Sequence, residues 1–448
     1  MITERFAEWA VEQRKHPLTD DVADAAIRAV ADWFASAVPG SAMSPAKTLV
    51  EAFVSDEENG PAQILGDRRG TTAVMAALIN GTASHSAELD DIYREGIYHP
   101  GAPTIAAALA VGEATGSSGE RFLRAVAIGY EIGDRIAKAV NPSHYRYWHT
   151  TGTIGSLGAA AASAEIMRLD AEPFAHALAL SATMAAGLQQ SFRSDSMSKP
   201  LHAGHAAQSG VIAGYAARSG FTGALDVLEG EAGFGAAMTT GTDWDAAVRD
   251  LGVPVLVGST TVKNHSCCGH TFAAIDAALE LRDRGLVPLS EIASIEVETY
   301  STALTVAGNL RPKTAFEAKF SIPYCVAAAI VFGSVRLRAF EADALVDPNI
   351  ERLMLATSLS VADDLDAQFP ARRGARLRMV TRDGAQFSVE RQTRKGDPDD
   401  PLTEYELRSK FREFLSPAYG SHVDEIENAI WNLMRAEDLA GLRPGAHK

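Results

Sequence analysis

Cysteine is scarce in this chain: Cys267, Cys268 and Cys325 are the only three in 448 residues. Three thiols make no disulfide framework, so a reducing compartment is expected and a disulfide-stapled secreted scaffold is excluded. Long apolar runs are missing too. The longest, Ile322 to Phe332, falls well short of the ~20 residues that cross a bilayer. The N-terminus MITERFAEWAVEQRK is charged and reads as a helix, unlike a signal peptide. A soluble cytoplasmic protein is the expectation. Positive charge is in deficit: 41 Lys and Arg stand against 57 Asp and Glu, a formal net charge of -16. That balance argues against nucleic acid or an anionic membrane as partner. It also means that a site for an acidic ligand must gather its cations locally.

Familiar motifs are absent as well. There is no HExxH, no CxxC and no zinc-type pairing of Cys and His, and adjacent Cys267 and Cys268 point apart. Asp90 and Asp91 with His85 or His99 are the one combination suited to a divalent cation, and they rank below a purely organic site. Gly230 to Gly235 (GEAGFG) fits neither the Rossmann nor the Walker spacing, and no GxSxG elbow occurs. The expectation is therefore no metal and no cofactor.

What is present is helical periodicity, rich in alanine, from the start to about residue 266. Val22, Ala25, Ile27, Val30, Trp33 and Phe34 recur on one helical face behind Asp20 and Asp21. Further helices are expected at Thr104–Ala114, Glu120–Val140, Gly152–Leu169, Pro173–Leu188 and His202–Arg218. Small residues such as GSLGAAAASA (Gly155–Ala164) let helix axes approach closely, which places them inside a bundle. After residue 266 the pattern changes. Ser294–Tyr300, Ala375–Val380 and Gln386–Gln392 alternate as strands, the last two joined by an Asp383-Gly384 hairpin signal. Helices Thr271–Arg284 and Pro323–Phe332 lie between them. Lys395–Pro401 reads as a linker, Thr403 and Glu406 as a capping box, and Val423–Leu439 as the last helix. The fold class is thus mainly α: an all-helical domain, 1–266 plus 404–448, and a smaller α+β lid domain, 267–403.

Eight of the twelve histidines fall in four short polar stretches. These are HSAELDDIY with His99, HYRYWHTTGT (His144–Thr153), RSDSMSKPLHAGH (Arg193–His205) and KNHSCCGH (Lys263–His270). Each joins or begins an apolar helix, where a side chain is held firmly at a cavity edge. Any one of these histidines alone reads as a satisfied surface residue; four such stretches together do not. Arg193, Lys199 and Lys263 add the cationic density that carboxylates require.

The segments NGTASHSAELDD (Asn80–Asp91), HPGAPTIAAALAVGE (His99–Glu113), GYEIGDRIA (Gly129–Ala137), WHTTGTIGSLGAAAASAEIMRLD, KPLHAGHAAQSG, GFTGALDVLEGEAGF, AKFSIPYCVAAAI (Ala318–Ile330) and GDPDDPLT (Gly396–Thr403) follow one another over nearly the whole chain. On them the sequence resembles the MmgE/PrpD (2-methylcitrate dehydratase-like) family. The resemblance implies a helical domain completed by the C-terminal helices, an α+β lid, a homodimer and catalysis without metal or organic cofactor. It also implies chemistry at a carbon beside a carboxylate, as in 2-methylcitrate dehydratase, cis-aconitate decarboxylase and iminodisuccinate epimerase. By motif position, the family's site residues carry over to Asp91, His99, His149, Lys199, His270 and Tyr324. Tyr145 and His202 are added on chemistry alone. Two departures stand out: Leu89-Asp90-Asp91-Ile92 replaces a Phe-Asp-Asp-Thr pattern, and Cys267-Cys268-Gly269-His270 lacks an arginine common near Gly269. As a whole the chain is most similar to iminodisuccinate epimerase.

The expected activity is accordingly epimerisation of a small polycarboxylate by proton abstraction alpha to a carboxylate. A lyase of the same family and a catalytically silent dimeric polycarboxylate-binding protein are the alternatives. Arg193, Lys263, His202, Tyr324 and the amides near Thr150–Gly152 are expected to hold carboxylates. Lys199 and His149 are expected as base and acid, with Tyr145 as substitute for either. Asp91 is expected to orient His99 or His149, with helix capping as its alternative role.

Overall fold

The computed structural model describes residues 1–193, 196–285 and 287–443. The fold is mainly α, and the chain divides into two compact units: Met1–Val262 with Thr403–Lys448, and Lys263–Leu402. The helices of eight residues or more in the N-terminal part of the first unit are α1 (Ile2–Gln13), α2 (Asp20–Ser41), α3 (Ser44–Phe53), α4 (Ala73–Ser86), α5 (Gly101–Thr115), α6 (Gly119–Val140), α7 (Thr150–Ile166), α8 (Ala171–Thr183) and α9 (Ser198–Arg218). A short ladder, β1 (Ala62–Gln63) with β2 (Gly70–Thr71), lies among them. The second unit holds α10 (Phe272–Asp283), β3 (Ile292–Thr299), α11 (Ile322–Phe332), α12 (Pro348–Leu355), β4 (Thr357–Val361), β5 (Ala375–Thr381) and β6 (Gln386–Arg391). Helices α13 (Glu404–Tyr419) and α14 (Val423–Trp431) return the chain to the first unit. No helix among the described residues is long and apolar enough to cross a membrane.

Helix α7 is the axis of the first unit, and every one of its residues is buried. Its small side chains admit neighbouring helices at short range. A Cβ built on Gly210 of α9 would stand 2.4 Å from Ala159 Cβ of α7. One built on Gly204 would stand 2.1 Å from Thr82 Oγ1 and 2.2 Å from the Leu78 carbonyl oxygen of α4. Glycine is therefore what lets α4, α7 and α9 touch, and that contact fixes the positions of the residues at their ends. Gly204→Ala is expected to lower stability by about 1–3 kcal/mol through overpacking. The clash is with backbone, so it outweighs the ~1 kcal/mol that alanine gains over glycine in a helix. A fall in Tm and in the urea midpoint checks this; an unchanged midpoint refutes it.

Local rules explain most helix ends. Thr72 Oγ1 accepts from Met75 N at 3.3 Å to start α4, and Ser118 Oγ accepts from Arg121 N at 3.4 Å to start α6. Gly116, at φ +65°, closes α5. The Thr403–Glu406 capping box forms at the start of α13, Glu406 Oε2 accepting from Thr403 N at 2.7 Å. The expected helix Pro173–Leu188 ends early, at Thr183. Beyond it Gly187 turns at φ +140°, and a Cβ there would meet the His202 ring at 3.2 Å. The expected Val423–Leu439 helix also stops short, at Trp431, and continues as 3-10 turns.

The sheet of the second unit runs β4-β3-β5-β6, with β3 and β4 parallel and the other pairs antiparallel. Ile295, Val297, Leu377 and Met379 face a core shared with α10 and α11. Strand β4 is one that the sequence reading lacks: TSLSV is short and mostly exposed, with Leu359 and Val361 its only apolar residues. The second unit begins at Lys263, so the KNHS segment belongs to it and not to the helical part. Arg336 Nη2 donates to Asn264 Oδ1 at 3.1 Å, His265 Nε2 lies 2.9 Å from Asp276 Oδ1, and Ser266 N donates to Val335 O at 2.9 Å.

Candidate active site

Four helix ends of the first unit bring three of the four histidine stretches together. His85 lies in the last turn of α4, and His99 lies two residues before α5. His149 is the N-cap of α7, and His202 and Lys199 lie in the first turns of α9. His149 Nδ1 stands 3.1 Å from His202 Nδ1. The His149 ring stacks on His85 (centroids 5.3 Å apart, 26° between planes) and meets Phe192 edge-on at 4.8 Å. His85 and His99 are 5.0 Å apart between centroids. A Cβ on Gly152 would reach within 2.5 Å of the Ala186 carbonyl oxygen and 2.9 Å of His202 Cβ, so glycine there lets α7 approach α9.

The electrostatics follow from burial. Burial, and then the neighbouring His85, Lys199, His202 and His99, hold His149 well below the usual imidazole range. His202 is pushed down to about 4, first by burial and then by His85, His205 and Lys199. Both rings are therefore neutral near pH 7. One donates and the other accepts across the 3.1 Å contact, so the pair is poised to take up one proton and pass it on. An anionic ligand in this pocket would raise both.

Lys199 Nζ donates to Glu88 Oε1 and lies 5.4 Å above the Phe192 ring. A lysine in the first turn of a helix opposes the helix dipole, and Glu88 sits at φ +58°, a conformation unusual for a side chain of its size. Two local rules are broken at one contact, as happens where function sets the terms. Sequence reasoning missed Glu88; its one signal was its place in the first histidine stretch. Helices α7 and α9 have no side-chain cap, so their first amides also face outward from the helix ends.

The paired aspartates divide their work. Asp91 Oδ1 accepts from Gly101 N at 3.0 Å at the start of α5, and its Oδ2 accepts from Tyr130 Oη at 2.8 Å. Burial first, and then Asp32 and Asp90, push its carboxyl up to about 8 against those two donors. The expectation that Asp91 orients a histidine is corrected: it ties α5 to α6, and the neighbouring Asp90 meets the histidines. Tyr145 is half-buried in the one-turn helix His144–Arg146, four residues before His149. Arg193 ends the turn Gln189–Arg193, and its side chain lies outside the described residues.

The other expected site residues belong to the second unit. His270 Nδ1 lies 2.7 Å from Tyr300 Oη, and Tyr300 stacks on Phe369 with centroids 4.8 Å apart. Burial, then Arg373 and Arg394, push His270 down to about 4. Tyr300, Arg373 and Arg394 carry no motif and were missed. Arg394 Nη1 donates to Gly269 O at 3.0 Å, so a guanidinium stands at Gly269 although the local sequence supplies none. Lys263 is buried at the start of the unit. Tyr324 is withdrawn from the ligand-facing set: it is 2% exposed, and its hydroxyl donates to Ala339 O at 2.6 Å inside the core.

Fold and site together define a class: a mainly helical protein with a smaller α+β unit and a buried histidine–carboxylate cluster suited to moving protons beside bound anions. The chain belongs to the MmgE/PrpD family, matching its N-terminal domain over residues 4–247 and its C-terminal domain over residues 265–434. It is 27% identical to the cis-aconitate decarboxylase-like protein oryM of Aspergillus oryzae, over 98% of this chain and 96% of that one. The cis-aconitate decarboxylase of Aspergillus terreus is 25% identical over 98% of this chain and 95% of its own. The human cis-aconitate decarboxylase is 27% identical over 81% of this chain and 76% of its own.

Proposed function

We propose that the protein is a lyase that releases carbon dioxide from a small unsaturated tricarboxylate of the cis-aconitate type, using side chains alone. The observation that carries this is the His149–His202 pair beside Lys199, a proton source next to a cation at the start of α9. The two Aspergillus relatives support decarboxylation over the expected epimerisation, since they match this chain nearly end to end and have cis-aconitate decarboxylase in their names. In the reaction, the bond to one carboxylate breaks and its electrons enter an allylic system. The double bond migrates, and a proton is added at the carbon beside a second carboxylate. Trianion and proton thus give dianion and carbon dioxide. Lys199 and the amides of α7 and α9 hold the remaining carboxylates, and the histidine pair delivers the proton. A homodimer belongs to the same proposal.

Proton NMR in heavy water, with no metal added, tests the reading. With cis-aconitate, a new terminal methylene signal and one deuterium beside a carboxylate are expected. A new olefin from 2-methylcitrate without gas release would replace decarboxylation by dehydration. Interconversion of iminodisuccinate stereoisomers with alpha deuteration would restore the epimerase. Because His149 and His202 are held neutral and the donor form is needed, kcat/KM should rise as pH falls from about 8 towards about 5. A kcat/KM that climbs with pH instead would remove the histidine pair as proton donor.

A further inference from the structure

Asp90 is 1% exposed, and its Oδ2 lies 2.6 Å from His85 Nδ1. His99 Nδ1 stands 3.1 Å from the same oxygen, within ion-pair range. Burial alone would raise the Asp90 carboxyl; His85 and His99 outweigh it and hold the group well below the usual carboxylate range. An ionised carboxylate only accepts, so a proton sits on His85 Nδ1, and in a neutral ring that leaves Nε2 as a lone pair. That Nε2 is buried and has no hydrogen-bond partner among the described residues.

A structural histidine in this fold looks different. His144 is equally buried, yet its Nδ1 lies 3.1 Å from Met238 O and its Nε2 2.7 Å from Thr153 Oγ1, so both nitrogens are satisfied. An orphaned buried nitrogen is costly, and few are kept without use. His85 stacks on His149, meets His99 at 5.0 Å between centroids, bonds Asp90 and lies within electrostatic range of His202.

We propose that Asp90 is a positioning residue that fixes His85 with its proton on Nδ1, making His85 Nε2 a second proton-holding atom of the site beside His149. This rests on the acid–base reading of the cluster, and it extends that reading to a dyad outside the expected set of site residues. His85, Asp90 and His99 also form a combination of a kind that binds divalent cations. The 2.6 Å contact favours a proton over an ion. Two ligand atoms that close would subtend only roughly 75° at an ion ~2.1 Å from each, well under a tetrahedral angle.

The first test needs no substrate. Nitrogen-15 spectra of histidine-labelled protein at pH 7, with the signal assigned by its loss in His85→Gln, are expected to show His85 protonated at Nδ1 only. Protonation at Nε2 would overturn the proposal. The second test is kinetic, using the decarboxylation assay. Asp90→Asn is expected to lower kcat about a hundredfold with KM nearly unchanged. It should also move the alkaline limb of the pH profile, where the proton-donor form is lost, to lower pH, because an anion of the cluster is gone. Full activity, or lost activity with an unmoved profile, would reduce Asp90 to a structural residue. One equivalent of divalent metal in the purified protein, lost together with activity on chelation, would assign the three residues to a cation instead. The expected His85 tautomer with no turnover of any tricarboxylate would sink the functional reading and leave the positioning role standing.

Discussion

His149→Gln is expected to lower kcat about a thousandfold while leaving the fold intact, as loss of a positioned acid–base group does. Glutamine keeps much of the imidazole's bulk and polarity but holds no transferable proton. His149 is 2% exposed at the N-cap of α7 and makes no side-chain capping bond, so the helix does not need the ring. Its contacts are instead with His202, His85 and Phe192. If the ring works only with His202, the double variant with His202→Gln should lose little more than the single ones, since residues acting as a unit are not additive. Rate assays with circular dichroism check both points. Activity within tenfold of the unaltered protein would remove His149 from the reaction, and independent multiplicative losses would dissolve the pair.

Lys410→Met is expected to be the most destabilising single change, at about 3–5 kcal/mol. Lys410 on α13 is 0% exposed; its Nζ lies 2.5 Å from Asp32 Oδ1 on α2 and donates to Leu89 O at 3.3 Å. Methionine fills the space but leaves Asp32 a buried carboxylate without its cation. That charge already helps to push Asp91 up to about 8. The sign of the pH effect follows: in the variant these carboxyls bind protons more tightly folded than unfolded. The deficit is then largest at about pH 8 and narrows towards about pH 5. Urea melts at both pH values measure it. A loss under ~1 kcal/mol, or a deficit that grows on acidification, would contradict the buried-pair account. Activity should fall along with stability, because Leu89 immediately precedes Asp90 and Asp91.

Much of the architecture was legible in the amino-acid order. Periodicity marked most of the long helices but not α3, α4 or α12; Thr403-x-x-Glu406 marked the start of α13, and Asp383-Gly384 marked the turn between β5 and β6. What was hard to read was short or polar. Strand β4 alternates only over Ser358–Val361, too short and exposed a run to stand out, and is held by its parallel pairing with β3. The end of α8 at Thr183 was hidden because the Gly187 turn is shaped by its approach to α7 and α9.

The site divides in the same way. The sequence by itself determined that histidines gather in four stretches, that Lys199 and His202 lie in one of them, and that the chain belongs to the MmgE/PrpD family. Those are statements about composition and local order, which periodicity and motif carry. Only the tertiary structure decided which partner each group has. Asp90 meets two histidines while Asp91 secures α5; Glu88 takes Lys199; Tyr324 spends its hydroxyl on Ala339; and Lys410 reaches Asp32 across 378 positions of chain. Adjacent residues such as Asp90 and Asp91 are nearly identical in sequence terms. Their side chains leave the backbone in different directions, and in a buried setting whichever donors lie within about 3 Å decide charge, tautomer and role.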